Sequence, residues 1–206
     1  MKKEELNIEG LYRVKREDLN RFAHVATQAF LDDESSKFLF SSKLTYKSMY
    51  DYYLVMYKAV FRKMYMFAES ENIDGFIIIA PIKNSELTFW DFIKEGGIKV
   101  ILSQGLGLVF RSLAYEKNCI NIRKKHTSVD AWYIFQFGVC PEKQGMGLGS
   151  KLMKPVLKWL DSQKVACYLE TQKRINVDIY KHFGFCLKGT DTLPQKDICQ
   201  FAMLRN

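Results

Sequence analysis

A glycine-rich loop between an apolar run and an amphipathic segment constrains this chain more than any other feature. The apolar run covers residues 131–139, the amphipathic segment covers residues 151–163, and Gly145, Gly147 and Gly149 alternate between them. The pattern predicts a strand, a loop and a helix start, and glycines without a Cβ let a ligand approach the backbone closely. The first turn of a helix presents unpaired N–H groups and partial positive charge. The loop therefore predicts a phosphate or pyrophosphate site.

A dinucleotide-binding fold is one interpretation of this loop. That motif needs G-x-G-x-x-G after a strand and an acidic residue about 20 residues later. Gly145 and Gly147 fit, Ser150 stands in place of the third glycine, and Glu170 lies near the expected acid. Residues 151–206 are too few for a doubly wound sheet built outward from its first turn, so chain position disfavours this interpretation.

Two blocks of residues in register favour acyl-CoA instead. The first is the loop with the strand end before it, and its matching positions are Val139, Pro141, Gln144, Gly145, Gly147 and Gly149. The second block runs from Leu169-Glu170-Thr171 through Asn176 to the segment 180–185, Tyr-Lys-His-Phe-Gly-Phe. In order and spacing these blocks resemble the GNAT superfamily of acyl-CoA-dependent N-acyltransferases. A narrower resemblance, to puromycin N-acetyltransferase and its relatives, covers about residues 131–190.

The resemblance implies a fold and a cosubstrate. The fold is α+β, with a central mixed β-sheet flanked by helices, and the cosubstrate is acetyl-CoA. The strand ending at Val139 is expected to splay from the strand ending at Glu170 and open a slot for the cofactor arm. Its exposed edge at Phe137, Gly138 and Val139 would pair with the pantetheine amides like an added strand. The pyrophosphate would bind the loop backbone, which consists of Gln144, Gly145, Met146, Gly147, Leu148, Gly149 and Ser150.

Two side chains of the second block are the candidate catalytic residues. Tyr180 is the candidate general acid, because a phenol is protonated at neutral pH and can donate to a leaving thiolate. Glu170 is a candidate base or cation anchor, since a carboxylate in a partly buried cleft has a raised pKa; a structural role is the alternative. Asn176 is predicted to cap a helix and to contact the cofactor arm.

Other polar residues carry weaker signals. Gln136 is a lone amide in an apolar strand and needs a partner if it is buried. Gly138 indicates a bulge or a close ligand approach. His126 and His182 have a suitable intrinsic pKa for a base but no motif around them. Cys140 lies near the loop and is interpreted as an inert thiol, because no base partner is visible.

The remaining periodicity predicts one domain over residues 1–206. Helices are expected over residues 16–30 and 46–62, and a hairpin is expected over residues 64–82. Residues 87–126 are predicted to form a helical insert before the central strand at 132–139. Further elements are a strand at 166–171, a short helix at 177–182, and strands at 185–189 and 198–204 around a turn at Thr192-Leu193-Pro194.

Composition limits the partners and the compartment. The net charge of +8 attracts anions, but the basic residues are spread out, and the tight run Arg123-Lys124-Lys125 is interpreted as a solvated loop face. We therefore expect no specific nucleic acid partner. Residues 1–5 precede no apolar signal region, and no apolar stretch is long enough to span a membrane. Five scattered cysteines indicate a reducing cytoplasm, and three histidines give no metal spacing.

The sequence thus predicts a cytoplasmic N-acetyltransferase that moves an acetyl group from acetyl-CoA directly to an amine. The expected acceptor is a small-molecule amine, and a homodimer is possible. A protein N-terminus or lysine is the second acceptor. A non-catalytic acyl-CoA-binding sensor of the same fold also remains open, although a pure binder has no use for the proton donor Tyr180.

Overall fold

The computed structural model describes residues 6–193 and 198–206. Within these residues the chain forms a seven-stranded mixed sheet in the order β1-β2-β3-β4-β5-β7-β6. The strands are β1 (Tyr12–Arg13), β2 (Tyr65–Ala68), β3 (Gly75–Pro81), β4 (Trp132–Val139), β5 (Cys167–Thr171), β6 (Cys186–Leu193) and β7 (Ile198–Arg205). Neighbouring strands are antiparallel except for β4 and β5, which are parallel.

Helices cover both faces of the sheet. They are α1 (Leu19–Phe30), α2 (Glu34–Phe40), α3 (Tyr46–Lys63), α4 (Phe89–Phe92), α5 (Ile98–Gln104), α6 (Leu106–His126), α7 (Leu148–Ser162) and α8 (Arg174–His182). A π-helical turn, Ile93–Gly97, joins α4 to α5. The predicted mixed sheet and the helical insert before the central strand are therefore confirmed.

Strand β3 shows how the two layers are divided. Its side chains point alternately to opposite faces of the sheet, as in any strand. Phe76 and Ile78 belong to the apolar core beneath α1 and α3, whereas Ile77 and Ile79 belong to the core beneath α7 and α8. Both faces of β3 are buried, which explains its continuous apolar sequence.

Some elements and boundaries differ from the prediction, including the start of α8, which lies at Arg174 and not at residue 177. Helix α2 was not predicted, because it is short and its pattern is not distinctive. Strand β6 continues beyond Gly189 to Leu193, and Pro194 of the predicted turn lies outside the described residues. Residues 1–5 also lie outside them. Across the described part of the chain, no helix combines the length and apolarity needed to cross a bilayer.

Candidate active site

Strands β4 and β5 pair at one end only. The paired residues are Trp132 with Cys167 and Tyr133 with Tyr168. β4 then continues to Val139, and no described residue pairs with this part of it on the β5 side. The parallel strands therefore open into a V, and backbone groups of β4 beyond Tyr133 are free to bond an extended ligand. The predicted splay is confirmed.

A bulge in β4 lies at the opening. Ile79 of β3 pairs with Ile134 and Ile78 pairs with Gln136, so Phe135 is an extra residue in β4. Such an insertion bends a strand and re-aims its side chains. The sequence indicated either a bulge or a close ligand approach at Gly138; the bulge lies at Phe135 instead, and ligand approach at Gly138 stays a prediction.

Gly138 has a packing role instead. A Cβ at this residue would lie 2.9 Å from Cζ of Phe76 and 3.1 Å from Cε2 of Phe30. The two rings need the space that a side chain would occupy. The backbone of Gly138 as a partner for the cofactor arm remains a prediction, as it does for Val139.

A cavity of about 280 Å³ occupies the opening between the strands. Four of the predicted site residues line it, and these are Phe137, Glu170, Asn176 and Tyr180. The residues of the glycine loop are not part of this lining. The structure therefore brings both candidate catalytic side chains to one cavity and leaves the loop on the adjoining surface.

The glycine loop forms an open cradle at the start of α7. Gly145 and Gly147 have φ angles of 78° and 81°, in the left-handed region that favours glycine. A Cβ at either residue would meet no atom within 4 Å. The N–H of Lys151 makes a 3.1 Å bond to the carbonyl of Gly147, so the N–H groups of residues 148–150 precede the first intrahelical bond. The loop therefore presents unpaired donors to solvent, which suits an anion.

Side chains around the loop connect it to β4. Nε2 of Gln144 donates to the carbonyl of Val139 at 3.2 Å. A Cβ at Gly149 would lie 3.3 Å from Cζ of Phe137, so this glycine lets the helix start pack on β4. Met146 is 67% exposed and contributes little to packing. The loop and the end of β4 thus form one continuous surface beside the cavity.

Glu170 is held at the end of β5 inside the cavity. The hydroxyl of Tyr133 donates to its Oε1 at 2.6 Å, and the hydroxyl of buried Tyr168 is a second hydrogen-bonding neighbour of the carboxyl group. Burial raises the pKa of Glu170 to about 7, and the nearby positive charge of Arg123 and the bond from Tyr133 oppose this rise. The carboxyl can therefore accept a proton near neutral pH or bind a cation.

Arg123 lies beneath Glu170 and corrects a sequence interpretation. It belongs to α6 and not to a solvated loop, and it is only 3% exposed. Its guanidinium lies 4.2 Å from the centre of the Tyr133 ring and 3.8 Å from Oε1 of Glu116. Burial raises the pKa of Glu116, and Arg123 lowers it. The Arg123 guanidinium thus lowers the pKa of two buried carboxyl groups, Glu116 and Glu170.

Tyr180 faces the same cavity from α8. Its ring lies between those of Phe137 and Phe185, with centroids 6.4 and 6.0 Å away. Burial raises its pKa well above the usual value, so the phenol is protonated at every physiological pH. No hydrogen bond to its hydroxyl is found among the described residues, which leaves the proton available to a ligand.

Asn176 does not cap a helix. Helix α8 begins at Arg174 after an extended Lys173, so Asn176 lies within its first turn. Its Nδ2 donates to Oγ1 of Thr171 at 3.0 Å and connects α8 to β5. The capping prediction was wrong because the helix starts earlier than the apolar pattern showed. Contact with the cofactor arm remains a prediction.

Of the weaker candidates, only Gln136 lies at the cavity. Gln136 lines the cavity and accepts a 2.7 Å bond from the hydroxyl of Tyr57. Nε2 of His126 lies 2.9 Å from Asp191, and exposed His182 lies against the carbonyl of Asp178. Neither histidine lines the cavity, nor does Cys140, which is buried.

Sequence reasoning missed the polar contribution of α6. The helix places a polar stripe on the cavity side at three- and four-residue spacing, and its members are Ser112, Tyr115, Glu116, Cys119 and Arg123. Polar residues on the buried face of a helix are unusual, so their three- and four-residue spacing in the sequence could have indicated a polar site on α6. Tyr52, Tyr53 and Met56 of α3 complete the wall opposite β4.

Residues 111–185 match the family model described as the acetyltransferase (GNAT) family. An uncharacterized N-acetyltransferase of Schizosaccharomyces pombe is 38% identical over 55 residues. That match covers 27% of this chain and 22% of the yeast protein's length. The matched stretch is thus only about a fifth of this relative.

Two solved structures show the same fold across the chain. The Corynebacterium glutamicum structure, described as histone acetyltransferase HPA2 and related acetyltransferase, has a TM-score of 0.60 at 16% identity and covers 97% of this chain and 96% of its own. The PaiA N-acetyltransferase of Thermoplasma acidophilum, in complex with coenzyme A, has a TM-score of 0.52 at 12% identity. It covers 98% of this chain and 99% of its own.

Proposed function

The chain belongs to the GNAT superfamily, and from that premise we propose that it transfers the acetyl group of acetyl-CoA directly to a small-molecule amine. The observation that carries the proposal is that Glu170 and Tyr180 line one cavity where β4 and β5 separate. A base and an acid that line one cavity are what acetyl transfer from a thioester requires.

Acetyl-CoA would bind across two surfaces. The loop of residues 144–150 would hold the pyrophosphate through the unpaired N–H groups at the start of α7. The unpaired edge of β4, at residues 137–139, would bond the pantetheine amides. Asn176 is placed beside the same slot. The coenzyme A complex of the Thermoplasma protein, which shares the fold, supports this assignment.

Glu170 and Tyr180 would carry out the proton transfers of the reaction. Ionised Glu170 accepts a proton from the substrate ammonium, which leaves a neutral amine with a free electron pair. The amine nitrogen bonds to the acetyl carbon as the carbon–sulfur bond breaks. The acylated nitrogen still carries an extra proton at this point. Tyr180 donates its proton to the departing thiolate and recovers one from this nitrogen, so the products are a neutral amide and a thiol, and Glu170 releases its proton to solvent. Burial raises the pKa of the Tyr180 phenol, and the same apolar surroundings also raise the pKa of the leaving thiol. The phenol can therefore still protonate the thiolate.

A small acceptor is favoured over a protein segment. Helices α4, α5 and α6 all contribute residues to the cavity, so the helical insert forms much of its wall. The volume of about 280 Å³ lies near the lower end of the usual range for small-ligand sites. Five cysteines without a disulfide are consistent with a reducing compartment, and we propose a cytoplasmic location.

Thiol release from acetyl-CoA in the presence of an amine panel tests the activity, with mass spectrometry of the acetylated product. Glu170→Gln and Tyr180→Phe should bind acetyl-CoA as the wild type does and release thiol far more slowly. Tight binding of acetyl-CoA with no transfer to any amine would favour the sensor alternative.

A further inference from the structure

The helical walls of the cavity consist mostly of apolar and aromatic side chains. They come from four helices, α3, α4, α5 and α6, and include Tyr52, Met56, Phe89, Phe92, Ile101 and Leu108. Such walls stabilise a ligand by removing apolar surface from water. They do not stabilise a strongly hydrated ligand, because its polar groups would lose hydrogen bonds to water when it enters the cavity.

The charges of the cavity allow for one cation. Four lining residues have ionisable acidic or basic side chains, and these are Asp33, Glu116, Glu170 and Lys173. Asp33 and Lys173 form an ion pair with each other. Glu116 and Glu170 remain, and Arg123 is the buried cation beside them. Two carboxyl groups with one guanidinium leave a single carboxylate for a ligand cation.

Glu170 is the carboxylate that this count leaves for the cation. Its Oε1 accepts from Tyr133, and the hydroxyl of Tyr168 also bonds the carboxyl group. A carboxylate has about four lone-pair sites, so two phenol donors still leave it able to pair with a ligand ammonium. The single charged head of a ligand is therefore expected at Glu170, and its body is expected to extend toward Phe89 and Phe92.

Resting on the proposed function, we propose that the acceptor is a monoamine with an aromatic or similarly bulky apolar body. A polyamine would place a second ammonium against the apolar wall, where no carboxylate remains for it. A lysine side chain would bring polar peptide groups to the mouth of the cavity and would leave the aromatic walls unfilled. The shape and charge of the site thus select one cation and one ring-sized apolar group.

The probes are phenethylamine, ethylamine, spermidine and a blocked lysine amide, each assayed by thiol release at saturating acetyl-CoA. Burial of one phenyl ring is expected to raise kcat/KM for phenethylamine at least about 30-fold over that for ethylamine. Spermidine and the lysine amide are expected to be poorer than phenethylamine. A higher kcat/KM for spermidine or for the lysine amide would overturn the proposal.

Two neighbouring aromatic residues provide a matched pair of variants. Phe89 lines the cavity and is 38% exposed, whereas Trp90 is 66% exposed and does not line it. Phe89→Ala is expected to lower kcat/KM for phenethylamine about fivefold to tenfold and to lower kcat/KM for ethylamine by a much smaller factor, because ethylamine has no ring to bury against Phe89. Trp90→Ala should change neither value. Equal losses for both amines in Phe89→Ala would contradict the assigned pocket.

Failure of this inference and failure of the proposed function give different results. Efficient transfer to polar amines alone would leave the acetyltransferase proposal intact and reject the aromatic acceptor. Without transfer to any amine, calorimetric titration of phenethylamine into the protein saturated with coenzyme A decides the question. Saturable binding that is weakened in Phe89→Ala supports the pocket assignment, and tighter binding of spermidine rejects it.

Discussion

Replacing Glu170 with glutamine is expected to stabilise the folded protein at neutral pH while removing activity. Burial raises the pKa of this carboxyl from 4.5 to about 7. A difference of one in pKa corresponds to about 1.4 kcal/mol, so the folded protein loses about 3 kcal/mol when the buried group ionises. Because the folded pKa lies above the unfolded one, the stabilisation is complete below about pH 4.5 and is lost as the pH rises through about 7.

Glutamine keeps the shape of the side chain and never ionises. Its Oε1 can still accept the bond from Tyr133. The free energy of unfolding of Glu170→Gln relative to wild type should therefore rise from near zero at about pH 4.5 to about 3 kcal/mol above pH 7. Urea unfolding at matched pH values measures this difference.

Activity should change in the opposite direction. Wild-type kcat/KM should rise as the pH passes through about 7, because Glu170 acts as a base only when ionised. Glu170→Gln should lose about a hundredfold or more and should lack this rise. Glu69→Gln is the control, since Glu69 is also buried but bonds Asp74 and Gly75 outside the cavity. A Glu170→Gln protein that is less stable at every pH, with activity falling in parallel, would establish a structural role instead.

Three further changes test the rest of the site. Gly147→Asp should abolish acetyl-CoA binding in calorimetric titration. Gly10→Asp is the control, because it has nearly the same φ, equally open space and therefore the same backbone strain, and it should bind normally. Equal affinities of the two variants would show that the loop does not bind acetyl-CoA. Tyr180→Phe should slow single-turnover thiol release about a hundredfold or more with acetyl-CoA affinity unchanged; a rate within about threefold of wild type would exclude it as the acid. Arg123→Met should destabilise the fold by about 3–5 kcal/mol and move the midpoint of the pH–rate profile upward, because the guanidinium lowers the pKa of Glu170; a stable variant with an unshifted profile would show that the two groups are uncoupled.

The glycine loop and the two blocks were readable from sequence because their signals are local. Gly145 and Gly147 adopt left-handed φ angles, and that conformation depends on the residue itself. Strand β4 and helix α7 follow from hydrophobic periodicity on either side of the loop. The helical insert was predicted from the pattern along the chain, whereas the mixed sheet and the place of Glu170 and Tyr180 in the cavity followed from the resemblance of the two blocks to the GNAT superfamily.

Only the tertiary structure decided how the cavity is charged. Arg123 stands in a run of basic residues that looks solvated in sequence, yet α6 packs its polar stripe toward the end of β5 and buries the guanidinium beside Glu170. Gly138 likewise makes space for two aromatic rings that are remote in sequence. A pKa or a packing contact depends on groups from several elements that meet in space, whereas periodicity and glycine conformation depend on neighbours along the chain.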